Sequence, residues 1–297
     1  MSPGHSLKNS GHPLDQSIKD RLQLGADAGL SLWLVRAVIQ AGDAISRIST
    51  GKPFFALRET EALVKELDGL KGRDLTHALL GKNNGTRITP HGLDHVPTEG
   101  PALIASTHAT GLFDFIAHAD SLMDKRPDLK VVANEDAERF LGSDLIVPVK
   151  INRQRRARAG PRIRRVMVEH LEGGGALLIF GSGRVPHRQN GYLVEPDWRS
   201  GPTRISAACG VPVIPAALNA QNSDAYYRTR RLAYRLSRGN DDFAAMIASL
   251  RHAQELRDKL GGCYEVFYGA PLPPGTQACD LKAQAERLVP GLYGPNG

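Results

Sequence analysis

His108 and Asp114 lie in the stretch Ser106-Thr-His-Ala-Thr-Gly-Leu-Phe-Asp114. A loop turning at Gly111 brings the carboxylate back onto the imidazole. That pair is the equipment of general-base catalysis: the carboxylate selects one ring tautomer and stabilises the imidazolium formed when the ring takes a proton. The same spacing also fits a histidine that caps a helix or packs in a core, and the residues alone leave both readings open. His118 and Asp120, further along, read as surface or packing residues. A second stretch, Phe180-Gly-Ser-Gly-Arg-Val-Pro-His187, offers Gly181 and Gly183, where backbone can approach an anion closely. Beside them Arg184 is a forked donor for phosphate or carboxylate; a plain glycine-rich turn is the other reading. Ser182 is not a hydrolase nucleophile of the elbow type, which needs glycine two residues before and two after it, where this chain has Phe180 and Arg184. No Gly-Lys-Ser/Thr follows, so this is not the phosphate loop of a nucleotide hydrolase.

Both stretches follow short apolar runs, and such runs set the architecture. Ala102–Ser106, Leu129–Ala133, Leu145–Val149, Ala176–Phe180 and Val211–Pro215 are continuous rather than alternating, as strands covered on both faces are. Helical segments near 112–124, 135–141, 160–172 and 199–209 separate them. A helix expected over 241–260 leads to a last run, Tyr264–Tyr268. Strands alternating with helices predict an α/β class: a mostly parallel central sheet covered by helices, whose sites gather at the carboxyl ends of the strands. His108 and Gly181 both follow such ends.

Before this region the pattern is helical. Leu24, Ala28, Leu32, Val35 and Ile39 form an apolar stripe within 18–48, with Asp27, Arg36 and Asp43 off it. A second helix over 59–70 stops at Gly69 and Gly72. The expected organisation is a flexible N-terminus (1–17), a helical membrane-docking or packing region (18–85), an α/β domain (86–275) and a C-terminal tail (276–297). The apolar faces of the first helices suit either a core or a membrane interface.

The 297 residues are 41% hydrophobic and 23% charged, an ordinary globular mixture that excludes a disordered chain. Cys209, Cys263 and Cys279 lack metal-ligand or disulfide-framework spacing, which points to a reducing compartment and no metal. The N-terminus lacks the basic and apolar regions of a signal peptide. No stretch reaches the roughly 18 apolar residues of a spanning helix. The net charge of +7 favours an anionic partner: lipid headgroups, an acidic carrier protein or nucleic acid. Basic residues concentrate in 150–165, with eight Lys/Arg and no acid, and in 226–238, where arginines interleave with tyrosines and leucines. Such a charge run reads as a solvated face, and the mixed apolar and basic character of the second also fits a membrane surface; nucleic acid is a further reading that no recognition motif supports.

Taken in order, these pieces resemble the glycerolipid and lysophospholipid acyltransferase superfamily, in the branch with hemolysin-like and ornithine-lipid acyltransferases. Thr107-His108 through Asp114 stands where that family has its first motif, an Asn-His or His-Pro-Phe start closed by Asp. Val149-Lys-Ile-Asn-Arg153 looks like the end of the second. Phe180-Gly-Ser-Gly-Arg-Val-Pro186 is similar to the third as the hemolysin-like branch carries it, and Val211-Pro-Val-Ile-Pro215 to the fourth. Asn219-Ala-Gln-Asn-Ser223 resembles the branch's Gly-Arg-Asn-Ser stretch. The match spans about 86–275. Thr107 replaces the usual Asn, and Ser182 the usual third-motif Glu.

The resemblance implies an O-acyltransferase that moves a fatty acyl chain from acyl-CoA or acyl carrier protein to a lysolipid hydroxyl, in phospholipid or aminolipid synthesis. His108 would be the general base and Asp114 its orienting carboxylate. Arg184, Gly183, Gly181 and, more weakly, Arg153 would bind substrate. No cofactor is implied beyond the acyl thioester, which is a co-substrate, and no metal, because the thioester is already activated. The protein would sit in the cytoplasm, peripherally on the anionic inner face of the membrane. A non-catalytic lipid-binding protein on the same scaffold is the alternative.

Overall fold

A computed structural model describes residues 13–22, 29–134, 137, 142, 145–149 and 160–294. The chain divides into two compact units, Met1–Glu66 and Leu67–Gly297.

In the first unit, α1 (Pro13–Leu22), α2 (Gly29–Thr50) and α3 (Leu57–Glu66) bury Ile18, Ile39 and Leu57, with Leu32, Val35 and Phe55 packed against them. The expected stripe is therefore the inner face of α2. Leu24 and Ala28 lie outside the described residues. Asp43, expected off that face, is buried. Its carboxylate accepts the N–H groups of Phe55, Ala56 and Leu57 at 2.5, 3.2 and 3.0 Å, satisfying donors at the start of α3. The opposite face of α2 exposes Leu30, Trp33, Leu34, Val38, Ile45 and Ile48. No helix among the described residues is long and apolar enough to cross a membrane.

The second unit opens with α4 (Gly72–Leu80), β1 (Arg87–His91) and a 3-10 turn (Leu93–His95). There follow β2 (Ala102–Ser106), α5 (Leu112–Leu122), β3 (Lys130–Asn134), β4 (Ile146–Val149), α6 (Pro161–Glu172) and β5 (Ala176–Phe180). A small hairpin, β6 (His187–Gln189) and β7 (Tyr192–Val194), precedes α7 (Gly201–Cys209) and β8 (Val213–Leu218). Then come α8 (Asp224–Leu236), α9 (Asp241–Ser249), α10 (His252–Lys259), β9 (Cys263–Tyr268) and α11 (Ala278–Arg287). Seven strands form one sheet in the order β1-β9-β8-β2-β5-β3-β4. Every joint is parallel except β8 with β9. The predicted α/β class, a mostly parallel sheet flanked by helices, is the observed fold.

The differences from the expected elements have local causes. The helix expected over 241–260 is two helices, with Arg251 between them. The fourth-motif strand starts at Val213, not Val211, and carries Pro215 inside a central strand, an unusual place for a residue without N–H. Toward β9 the ladder is broken there: Val213 exchanges hydrogen bonds with Leu272, and Pro215 uses only its carbonyl, accepting from Gly269 N at 2.8 Å. The segment expected as a tail includes α11, whose Leu281 and Ala285 are fully buried in the main core with Leu103, Leu177 and Val213. The helix expected over 135–141 lies almost wholly outside the described residues.

Candidate active site

β2 and β5 are parallel neighbours in a register that pairs Ser106 with Phe180. The loops that follow them therefore leave the sheet side by side, and that register alone brings His108 to the Gly181–Val185 turn. The ring of Phe180 stacks on the His108 imidazole, centroids 4.4 Å apart and planes 29° from parallel.

After His108 the chain turns at Gly111, whose φ of +91° only glycine adopts readily. A Cβ there would also press on the His252 ring at 3.1 Å. The turn starts α5 and places Asp114 on its third residue, where it reaches back to the N-cap as in half of a capping box. Asp114 is fully buried. Oδ2 accepts Thr110 N and Gly111 N, both at 2.9 Å, and Oδ1 accepts the Thr110 hydroxyl at 2.7 Å. Nδ1 of His108 lies 3.0 Å from Oδ2, with the ring turned off the ideal hydrogen-bond line; such contacts often tighten only with substrate bound. Burial pushes the Asp114 carboxyl up, but His108 and Thr110 outweigh it and hold it below the ordinary carboxylate range. An ionised Asp114 orients Nδ1–H inward and leaves Nε2 as the ring's proton acceptor.

Beneath this pair lies a polar network that the sequence did not announce. His118, read as a surface or packing residue, is fully buried: Nε2 meets Ser106 Oγ at 2.8 Å and Nδ1 meets Tyr268 OH at 3.0 Å, with Ser121 Oγ 2.6 Å from the same phenol. Burial lowers its pKa to about 4, so it is neutral and structural. Asn222 holds the other side of the loop. Its Nδ2 donates to Thr110 O at 3.3 Å, and its Oδ1 accepts from buried Lys259 Nζ at 2.9 Å.

The second predicted stretch is more mixed. Gly181 is required by packing, since a Cβ would lie 2.0 Å from the Trp198 ring. Its place is thus explained without an anion. Gly183 takes the left-handed conformation, φ +62°. Arg184 is exposed and paired with Asp242 at 2.6 Å, so a ligand anion would have to displace that carboxylate. Arg153 lies outside the described residues. Sequence reasoning also missed Glu195, fully enclosed just after β7, whose Oε1 is 2.7 Å from Ser182 Oγ and accepts Trp198 Nε1 at 3.3 Å. No periodicity marks a lone glutamate in a loop.

The family model described as acyltransferase matches residues 32–287. Among solved structures, the crystal structure of the 1-acyl-sn-glycerophosphate acyltransferase PlsC from Thermotoga maritima covers 78% of this chain and 79% of its own. It is 16% identical, with a TM-score of 0.44. No curated protein sequence matches the chain. The family match extends across both the His108–Asp114 loop and the Gly181–Val185 turn, and the chain belongs to this acyltransferase family.

Proposed function

We propose that this acyltransferase moves a fatty acyl chain from acyl-CoA or acyl carrier protein to the hydroxyl of a lysolipid, forming a phospholipid or an aminolipid, as in the branch its motifs resemble. The observation that carries this reading is the imidazole of His108 held over buried Asp114 at the carboxyl end of a central strand. His108 Nε2 takes the proton of the acceptor hydroxyl as its oxygen attacks the thioester carbonyl. The tetrahedral intermediate collapses, the C–S bond breaks, and the departing thiolate takes the proton from the imidazolium. The ester, the free thiol and neutral His108 result. Asp114 stabilises the transient cation, and a general base so placed contributes about 10²–10⁴-fold in rate. Arg184, released from Asp242, binds the headgroup or donor phosphate, with Gly183 at its side; Gly181 and Arg153 complete the proposed binding set.

The acceptor lies in a membrane, and two surfaces suit the anionic inner face of one. The exposed α2 stripe can insert its apolar side chains. On α8, Leu232, Tyr234 and Leu236 are exposed among Arg228, Arg231 and Arg235, a mixture that suits anionic headgroups. The test incubates wild-type and His108→Ala protein with acyl-CoA or acyl carrier protein and a panel of lysolipids, reading products by lipid mass spectrometry. New acyl-lipid that needs His108 is expected. A folded His108→Ala protein with full transfer rate would overturn the mechanism. Vesicle binding without turnover on any donor would favour the non-catalytic reading, and free fatty acid without acyl-lipid would make the protein a thioesterase.

A further inference from the structure

Glu195 has no part in the chemistry above, yet its carboxyl is buried within the electrostatic reach of His108 and Asp114. Its surroundings pose a problem of proton count. Ser182 Oγ carries one hydrogen and lies 2.7 Å from Glu195 Oε1 and 2.9 Å from Arg184 O, while Arg184 N donates to it at 3.2 Å. A backbone carbonyl only accepts. If the serine proton goes to Arg184 O, the short contact to Oε1 is completed by a proton on Glu195. If it goes to an ionised Glu195, Arg184 O loses its donor and a negative charge stays buried. The other oxygen, Oε2, has no hydrogen-bond partner among the described residues. An anion so enclosed is strongly disfavoured.

The turn that Glu195 holds is the one that supports the base. Phe180 stacks on His108, and its successor Gly181 is tied on both sides, donating to Ser106 O at 2.9 Å and accepting from Arg199 N at 3.0 Å. Ser182, next in line, is fixed through Glu195. We propose that Glu195 is a positioning residue for the transfer: as a neutral acid it donates to Ser182, and so locks the Gly181–Val185 turn against which His108 is aligned. This rests on the acyl-transfer reading for its catalytic consequence but not for its proton. The groups that act on Glu195 are Ser182 and His108 and Trp198, which favour its ionisation, and Asp114, which opposes it; Tyr293 also senses its charge. Burial dominates and carries its pKa up to about 7.

Two readouts test this. In activity, kcat/KM of the wild type is expected to fall on the alkaline side of neutrality as Glu195 ionises. Glu195→Gln, whose amide donates without a proton to lose, should abolish that limb and restore most of what Glu195→Ala loses, on the order of 10²-fold for a misplaced base. The second readout needs no turnover. Trp198 touches Glu195 and the only other tryptophan is Trp33, so the Trp198 emission of a Trp33→Phe protein should titrate near neutral pH and cease to do so when Glu195→Gln is added. An unchanged alkaline limb in Glu195→Gln, or emission that does not titrate between pH 5 and 9 (a span of about two units either side of the expected midpoint), would overturn the proposal. If the wild type transfers no acyl group, the acyl-transfer reading falls and the emission titration decides the protonation of Glu195 alone.

Discussion

Replacing Asp114 by Asn removes the charge of the buried carboxylate and almost nothing else. Oδ2 receives two backbone N–H groups and faces His108, whereas Oδ1 receives mainly the Thr110 hydroxyl. An amide is accommodated in one orientation: its oxygen takes the Oδ2 place, and its NH2 points at the Thr110 hydroxyl, which turns to accept. Hydrogen bonds to a charged acceptor contribute about 1.5–3 kcal/mol and neutral ones about 0.5–1.5 kcal/mol. Neutralising the two bonds at Oδ2 should therefore cost about 2 kcal/mol. Asp114→Ala leaves both N–H groups orphaned in a buried loop and should cost about 4 kcal/mol. Because folding depresses the Asp114 pKa, its contribution is complete above the ordinary carboxylate value and is lost as pH falls through the folded one. The gap between wild type and Asn variant should thus be constant around neutrality and close in acid. The transfer rate should fall about 10²–10⁴-fold in Asp114→Asn, since no charge offsets the imidazolium. Urea denaturation at several pH values, with kcat/KM on the same preparations, makes the comparison. An Asn variant as stable and as active as the wild type at pH 7 would refute the argument.

Ionising Glu195 in place costs about 3 kcal/mol relative to the unfolded chain, and this stabilisation of its neutral form disappears as pH rises toward about 7. In urea titrations Glu195→Gln should gain stability relative to wild type as pH rises from 5 to 8. Gly181→Ala should destabilise by about 3 kcal/mol or more, because the new methyl overlaps the Trp198 ring; an unchanged melting temperature would show that the turn is looser than drawn. Arg126, fully buried, bonds Asp128 at 2.6 and 2.8 Å and the carbonyls of Pro97 and Gly174. Its replacement by Ala should cost about 3–5 kcal/mol in chemical denaturation. On α2, Val38→Asp with Ile45→Asp changes exposed positions only. Folding should be unaffected, while partition onto vesicles of phosphatidylglycerol and phosphatidylcholine drops at least about tenfold.

What could be read from the residues follows from how local each signal is. Ala102–Ser106 and Ala176–Phe180 are strands over the expected spans because an uninterrupted apolar run has no other comfortable place. His108 and Asp114 came together as expected because a glycine between them opens a conformation that other residues avoid. Glu195 escaped notice, and the polar network of His118 went unread, because their partners, Ser182 and Trp198 in one case, Ser106 and Tyr268 in the other, are set by the packing of segments distant in sequence. Arg184 shows the converse. Its type suits an anion, but only the arrangement of α9 reveals that Asp242 already engages it.

The order of the strands bears on how the protein is made. β2, in the middle of the sheet, has β5 on one side and β8 on the other, so Leu103 waits for Leu177 and then for Val213 before both its edges are paired. Leu193 is joined in turn to Leu292, close to the last described residue. Long-range parallel pairings of this kind close large loops before they are rewarded, and chains built on them fold slowly. On the ribosome, the loop bearing His108 emerges long before the strand that carries its stacking partner Phe180, with apolar strand edges exposed in the interval. Such an intermediate is open to aggregation, and the yield of active protein should depend on synthesis temperature and chaperone supply more than the equilibrium stability of the finished fold would suggest.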